Sequence, residues 1–259
     1  MQIKNFDYDI NKLPVGIRVG IFGGSGSGKT TLLLDHFIPV ILKQYHIIYV
    51  IMDYDPDLVE RYKNAIKKYG GNRFIMEGDK KIKVPIVYYR FPDDIEDLEK
   101  SIDDIYNFQK KTNKKYNILV LMDDVMKIDG LNKSKKFQQC FTNFRHFSAS
   151  IFILIQTTQA TISSTVIANM SYIVFFPINQ SYFINTIRRE YIDPSIIKYI
   201  NTTNMNAGKI VKQYPKENDM KRVTMEIYQK YIGMYPFGHA MLFDKMNTTM
   251  YAIDTTKKK

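Results

Sequence analysis

The chain has 259 residues, 45% of them apolar and including 16 Phe and 19 Tyr, which suits one large domain with a modest appendage and excludes a disordered chain. A formal charge of +11, from 37 basic against 26 acidic residues, favours polyanionic partners, nucleic acid first and an anionic membrane second. The lone Cys140 excludes an intrachain disulfide and a thiolate zinc site, and with neither a signal-peptide core nor a membrane-length apolar run the sequence predicts a soluble protein of a reducing compartment.

Taken in chain order, apolar runs of strand length alternate with helical patterns. Strands are predicted at Arg18 to Phe22, His46 to Ile51, Val84 to Arg90, Ile118 to Met122, Ile151 to Ile155 and Tyr172 to Phe176. One helix should follow the first strand from Lys29 to about Lys43. A second is expected from about Asp94 to Lys111, where Ile95, Leu98, Ile102, Ile105 and Phe108 recur three or four apart as one buried stripe. A further helix should close at Arg145 and His146. Beyond Pro177 helices are expected near Gln180 to Tyr191 and Pro194 to Asn201, then a hairpin of His239 to Phe243 with Thr248 to Ile253. The fold class that follows is α/β, a mostly parallel central sheet flanked by helices. The domain reading is a core over 1–192 and a small C-terminal helical and hairpin appendage over 193–259, packed on that core.

Between the first strand and its helix stands Gly23-Gly24-Ser25-Gly26-Ser27-Gly28-Lys29-Thr30, a GxxxxGK(S/T) phosphate loop with Thr31 opening the helix. Glycines permit the backbone torsions that turn successive amides toward one anion, and the helix start adds partial positive charge. Lys29 is then expected to reach the β- and γ-phosphates of ATP, and Thr30 to take a position on Mg²⁺. The strand Ile118 to Met122 ends in Asp123-Asp124, and parallel strands bring this pair to the same sheet edge as the loop. Asp123 is read as the second Mg²⁺ residue, and Asp124 as the group that orients or deprotonates the attacking water. Gln156, at the exit of the strand ending in Ile155, is read as a γ-phosphate sensor. Arg145 and Arg188 are candidate arginines for a neighbouring subunit's site. The long interval from Lys29 to Asp123 suits P-loop NTPases with an additional strand between the Walker A and Walker B strands. GTP is disfavoured, since Asn113-Lys114-Lys115-Tyr116 and Asn132-Lys133-Ser134-Lys135 both lack the Asp of a guanine-reading element. The clusters Lys110, Lys111, Lys114, Lys115 and Lys133, Lys135, Lys136 fit a nucleic-acid partner.

Three segments together, IFGGSGSGKT, ILVLMDDV, and TNFRHFSASIFILIQTT followed by ANMSYIVFF, resemble the genome-packaging ATPases of the poxvirus type within the FtsK-HerA superfamily. Such enzymes occur across nucleocytoplasmic large DNA viruses and virophages. The likeness spans Val15 to Ile192. It implies ATP-driven translocation of double-stranded DNA into a capsid by a homo-oligomeric ring, at a viral assembly site in the host cytoplasm, with the virion as a second location. A capsid or inner-membrane vertex protein is an implied partner. Carried over by position, Lys29 and Thr30 are the Walker A residues, Asp123 and Asp124 the Walker B pair and Gln156 the sensor, while Arg145 matches a family arginine and Arg188 a weaker one. Asp124 stands where most of this mechanistic branch carries Glu, although the poxvirus type also shows an Asp pair. The alternatives weighed are an FtsK-HerA or RecA-like helicase or repair ATPase, a P-loop nucleotide kinase, and a regulator that binds ATP without turnover.

Overall fold

The computed structural model describes residues 4–5, 13–156, 162–176, 239–245 and 249–254. The two helices expected near Gln180 to Tyr191 and Pro194 to Asn201, together with Arg188, lie outside these residues.

Among the described residues eleven strands and six α-helices follow in chain order: β1 (Lys4–Asn5), β2 (Arg18–Phe22), α1 (Lys29–Leu32), α2 (Ile38–Ile41), β3 (Ile47–Met52), α3 (Pro56–Gly70), β4 (Arg73–Glu77), β5 (Lys80–Val84), β6 (Ile86–Arg90), α4 (Ile95–Lys111), β7 (Ile118–Asp123), α5 (Lys135–Asn143), β8 (Ala149–Ile155), α6 (Ser164–Ala168), β9 (Tyr172–Phe175), β10 (His239–Asp244) and β11 (Thr249–Asp254). Nine strands form one sheet in the order β1-β11-β10-β9-β2-β8-β7-β3-β6. The six from β9 to β6 are parallel, and β10 joins them antiparallel to β9, with β11 antiparallel to β10. β8 thus lies between the loop-bearing β2 and β7, which is the additional strand expected from the sequence.

The central strands read as continuous apolar runs because both of their faces are covered. Along β7 the side chains alternate, Ile118, Val120 and Met122 entering one core and Leu119 and Leu121 the other. The first core packs under α4, α5 and α6, with Leu98, Ile102, Phe137 and Val166 as anchors. On the opposite face Leu33, Phe37, Ile41, Val59 and Tyr62 come from the segment after the phosphate loop and from α3.

Two expectations are corrected here and a third point is new. The helix after Lys29 is not uniform: a π-helical turn at Leu33–Phe37 separates α1 from α2, and a 3₁₀ turn at Leu42–Gln44 ends the run. Pro39, at the start of α2, supplies no N–H and crowds the carbonyl one turn back, a conflict that the wider turn absorbs. The strand expected at Val84 to Arg90 is two, because Pro85 donates no ladder hydrogen bond; β5 pairs with β4 in a separate two-stranded sheet, and β6 pairs with β3. The third is an addition. α3 was not anticipated, although Asp55 caps it by accepting from the Asp57 and Leu58 amides and Pro56 opens its first turn.

Candidate functional site

β2 ends at Phe22, and the chain turns through Gly23 to Gly28 into α1. Gly26 and Gly28 sit at φ 70° and 95°, in the left-handed region that favours glycine. The Gly23 amide donates to the Ile155 carbonyl at 3.1 Å, which ties the loop to the end of β8. Lys29 is buried, and its ammonium donates to the Gly23 and Gly24 carbonyls at 2.9 and 2.8 Å. Burial lowers its pKa, against which the Asp123 and Asp124 charges act. Ser27 Oγ is buried without a hydrogen-bond partner among the described residues, so the floor of the loop carries a polar atom turned inward.

β7 delivers Asp123 to the same edge. The Thr30 hydroxyl donates to Asp123 Oδ2 at 3.1 Å, so the first helical turn after the loop and the end of β7 are in direct contact. Asp123 is 6% exposed, and burial raises its pKa, opposed by the hydrogen bonds from Tyr62 and Thr30. Thr30 and Asp123 fit a magnesium position. Mg²⁺ binds through one or two protein oxygens plus phosphates and water, and the adjoining oxygens of Thr30 and Asp123 are donors of that kind.

Asp124 has left-handed backbone at φ 59°, which Asp tolerates better than most side chains, and this turns it out of the line of β7. Gln156 Nε2 donates to its Oδ1 at 2.6 Å. Lys127 lies 2.8 Å from Oδ2 and also 3.2 Å from Asp53. A cleft of about 400 Å³ opens beside Asp124, lined by Asp53, Asp93, Asp94, Lys127 and Asp129.

Loop, Lys29, Thr30, Asp123, Asp124 and Gln156 are therefore assembled at one sheet edge, the carboxyl ends of the parallel strands. Thr31 joins them and accepts from Arg61 of α3 at 3.3 Å. Arg145 is elsewhere. It lies in the 3₁₀ turn Phe144–Phe147 before β8, beside Gly16 and close enough to Arg18 to lower that residue's pKa, burial being the larger cause. β8 has seven residues, so about 20 Å of strand separates Arg145 from Gln156 of the same chain.

Sequence reasoning missed two residues of the site. Tyr62, fully buried on α3, donates its hydroxyl to Asp123 Oδ2 at 3.0 Å. Its signal was the spacing of Val59, Tyr62 and Ile66, the buried stripe of an unread helix. Lys127 was hidden because nothing in a lone Lys three residues after Asp124 reports a pairing.

The sequence profile of the family described as Poxvirus A32 protein matches residues 4–220. The DNA packaging protein OPG160 of vaccinia virus, strain Copenhagen, is 30% identical over 157 residues, 60% of this chain and 51% of that one. The chain thus spans about half the length of the curated relatives it matches. Among solved structures, the genome packaging NTPase B204 from Sulfolobus turreted icosahedral virus 2 in complex with AMPPCP superposes with a TM-score of 0.53 at 14% identity, covering 92% of this chain and 96% of that one. The same NTPase in complex with AMP gives 0.53 at 15% identity, over 95% and 98%. These structural likenesses establish the fold.

Proposed function

The chain belongs to the Poxvirus A32 protein family, and on that premise we propose that it is an ATP-hydrolysing motor that moves double-stranded DNA into a capsid. The observation that carries this reading is the contact of Thr30 with Asp123 at 3.1 Å beside a buried Lys29, with Asp124 held separately by Gln156. One carboxylate is committed to the metal position and the next is turned toward the polar strand end. That division supports a hydrolase over a P-loop protein that only binds nucleotide.

In this reading the loop amides and Lys29 bind the phosphates of ATP, and Thr30 and Asp123 hold Mg²⁺, which neutralises charge on the β- and γ-phosphates when bound. Asp124 accepts a proton from, or orients, the water that attacks the γ-phosphate, and Gln156 registers phosphate loss through its bond to Asp124. The sequence-similar DNA packaging protein of vaccinia virus and the surplus of basic residues support DNA as the track. Work at a viral assembly site in the host cytoplasm and contact with a capsid or inner-membrane vertex protein belong to the same proposal. No helix of the described residues is long and apolar enough to cross a membrane.

The distance of Arg145 from its own phosphate loop supports a ring in which this exposed cation serves the adjacent copy. The acidic cleft beside Asp124 gives an incoming guanidinium a favourable entrance. Arg188 is retained as the second candidate for that role.

The test compares two variants by equilibrium ATP binding and by phosphate release. Lys29→Ala removes a ground-state phosphate contact and should lose both. Asp124→Asn acts only on the water and should keep affinity within about threefold while turnover falls by about 10³, a general-base loss within the usual range. Equal loss of ATP affinity in both variants overturns the assignment.

A further inference from the structure

The edge of the sheet opposite the phosphate loop, at the amino ends of the parallel strands, carries a feature that the ATP site does not use. β4 and β5 form a hairpin with the register Arg73↔Val84, Phe74↔Lys83, Ile75↔Ile82, Met76↔Lys81 and Glu77↔Lys80. Side chains alternate across a strand, so this register sorts them onto two faces. The inner face is anchored. Ile75 and Ile82 cover a cavity of about 140 Å³ with Tyr88 and Phe108, and Glu77 accepts from the Tyr116 hydroxyl at 2.5 Å. Arg73 donates to the Tyr45 and Leu42 carbonyls at 2.8 and 3.2 Å, fixing the base of the hairpin to the end of the first helical run.

The outer face holds Phe74, Met76, Lys81 and Lys83, all exposed, with Phe74 at 47% and Met76 at 62%. No helix macrodipole accounts for lysines on a hairpin. Lys81 sits 4.3 Å above the Phe74 ring, and two neighbours repeat the pattern: Lys68 rests 4.6 Å from Tyr69, and Lys114 5.2 Å from Phe147. A ring holds an ammonium at the surface without cancelling its charge. Ion pairs among the described residues hold other lysines, Lys127 with Asp124 and Asp53, Lys136 with Asp103 at 2.6 Å, and Lys115 with Glu77 on the inner face of the hairpin at 3.7 Å, and none of them includes Lys81 or Lys83. The last turns of α3 and α4 add Lys67, Lys110 and Lys111 to the amino-end surface.

We propose that the outer face of the β4–β5 hairpin, through Lys81 and Lys83, is a contact for the phosphate backbone of double-stranded DNA. The proposal rests on the motor reading, since that reading supplies the polyanion. An extended backbone fits exposed cations spread over the outer face of the hairpin and two helix ends. Two apolar side chains are too few to insert this surface into a membrane. Such contacts fix position along the duplex and carry no sequence preference.

The experiment measures binding of the full chain to duplex DNA by fluorescence anisotropy across a salt titration, with DNA-independent ATP hydrolysis as a check on the catalytic end. Lys81→Glu/Lys83→Glu is compared with Lys133→Glu/Lys135→Glu, a control of equal charge change at exposed positions near the opposite edge and in the rival basic cluster of the sequence, which the hairpin assignment leaves off the DNA path. Each lost phosphate contact lowers the salt slope by about 0.9, so the hairpin variant should bind more than tenfold more weakly with a slope smaller by about 2. The control should change affinity less than threefold, and basal hydrolysis should be equal in all three proteins. Wild-type binding with the hairpin variant no weaker than the control overturns the hairpin assignment and leaves the motor reading standing. No duplex binding by the wild type overturns the motor reading and the hairpin with it. Loss of binding to phosphatidylserine vesicles with DNA binding retained overturns the assignment in favour of a membrane surface.

Discussion

Asp123 receives two donors on one oxygen, the Thr30 hydroxyl from the nucleotide side and the Tyr62 hydroxyl from beneath. In the proposed mechanism the Thr30 hydroxyl would turn to the metal, whereas Tyr62, fully buried on α3, would keep the carboxylate oriented. Burial and the adjacent Asp123 charge raise the pKa of Tyr62, so it stays a neutral donor at any working pH. Tyr62→Phe keeps the ring in the core and deletes the donor. A hydrogen bond to a charged group is worth about 1.5–3 kcal/mol, so kcat should fall by roughly ten- to a hundredfold, with a higher Mg²⁺ requirement and little change in KM for ATP. Steady-state hydrolysis under Mg²⁺ titration checks this, and an unchanged Mg²⁺ requirement speaks against the orienting role. Cys140 illustrates the inert end of the residue scale. Buried on α5, its thiol is pushed up well beyond the ordinary range and stays protonated where a free thiol ionises. The native protein should therefore resist iodoacetamide at pH 8 and react only on unfolding, as intact-mass measurement would show.

β8 shows how an element positions the site. Its first half is tied down by Ser150, whose hydroxyl oxygen accepts from Tyr45 and from the Gly16 amide, both at 2.8 Å, and its last residue accepts from the phosphate loop. Ser150→Ala leaves the buried Tyr45 hydroxyl, whose pKa burial has raised to about 12, without its acceptor. The expected cost is about 1–3 kcal/mol, seen as a lower urea midpoint at unchanged m-value. Much at this scale was legible in the residues. β2 runs over Arg18–Phe22 as predicted, β7 extends one residue past the predicted end to include Asp123, and α4 begins one residue after its cap Asp94. Continuous apolar runs and helical stripes report burial on their own. Pairings between distant segments do not: the outward turn of Asp124 and its bonds to Gln156 and Lys127 depend on tertiary geometry that spacing does not encode. α3 is an intermediate case. Its cap Asp55 and the stripe of Val59, Tyr62 and Ile66 at helical spacing are as regular as the stripe of α4, so the helix is legible, whereas the bond from Tyr62 to Asp123 is not.

On the scale of the whole molecule the sheet separates two chemistries, a nucleotide edge rich in carboxylates and an opposite edge carrying Arg145, Arg18 and the hairpin lysines. In the proposed ring, head-to-tail assembly would place the Arg145 end of β8 in one copy against the nucleotide edge of the next, with the hairpin at the β6 margin of the sheet left to the duplex. Arg145→Ala should therefore lose hydrolysis in a homogeneous preparation. Mixed with Lys29→Ala, it should recover activity that neither variant has alone, because each intact loop meets an intact arginine from its neighbour. The proposed packaging function, unlike the helicase alternative, predicts work on the duplex rather than separation of its strands. The most direct test is displacement of a triplex-forming oligonucleotide from double-stranded DNA by the full chain with ATP and Mg²⁺. Displacement that requires hydrolysis, disappears in Asp124→Asn and leaves the duplex paired is the result expected of a translocating motor. ATP turnover without displacement, or displacement that proceeds equally in Asp124→Asn, would contradict it.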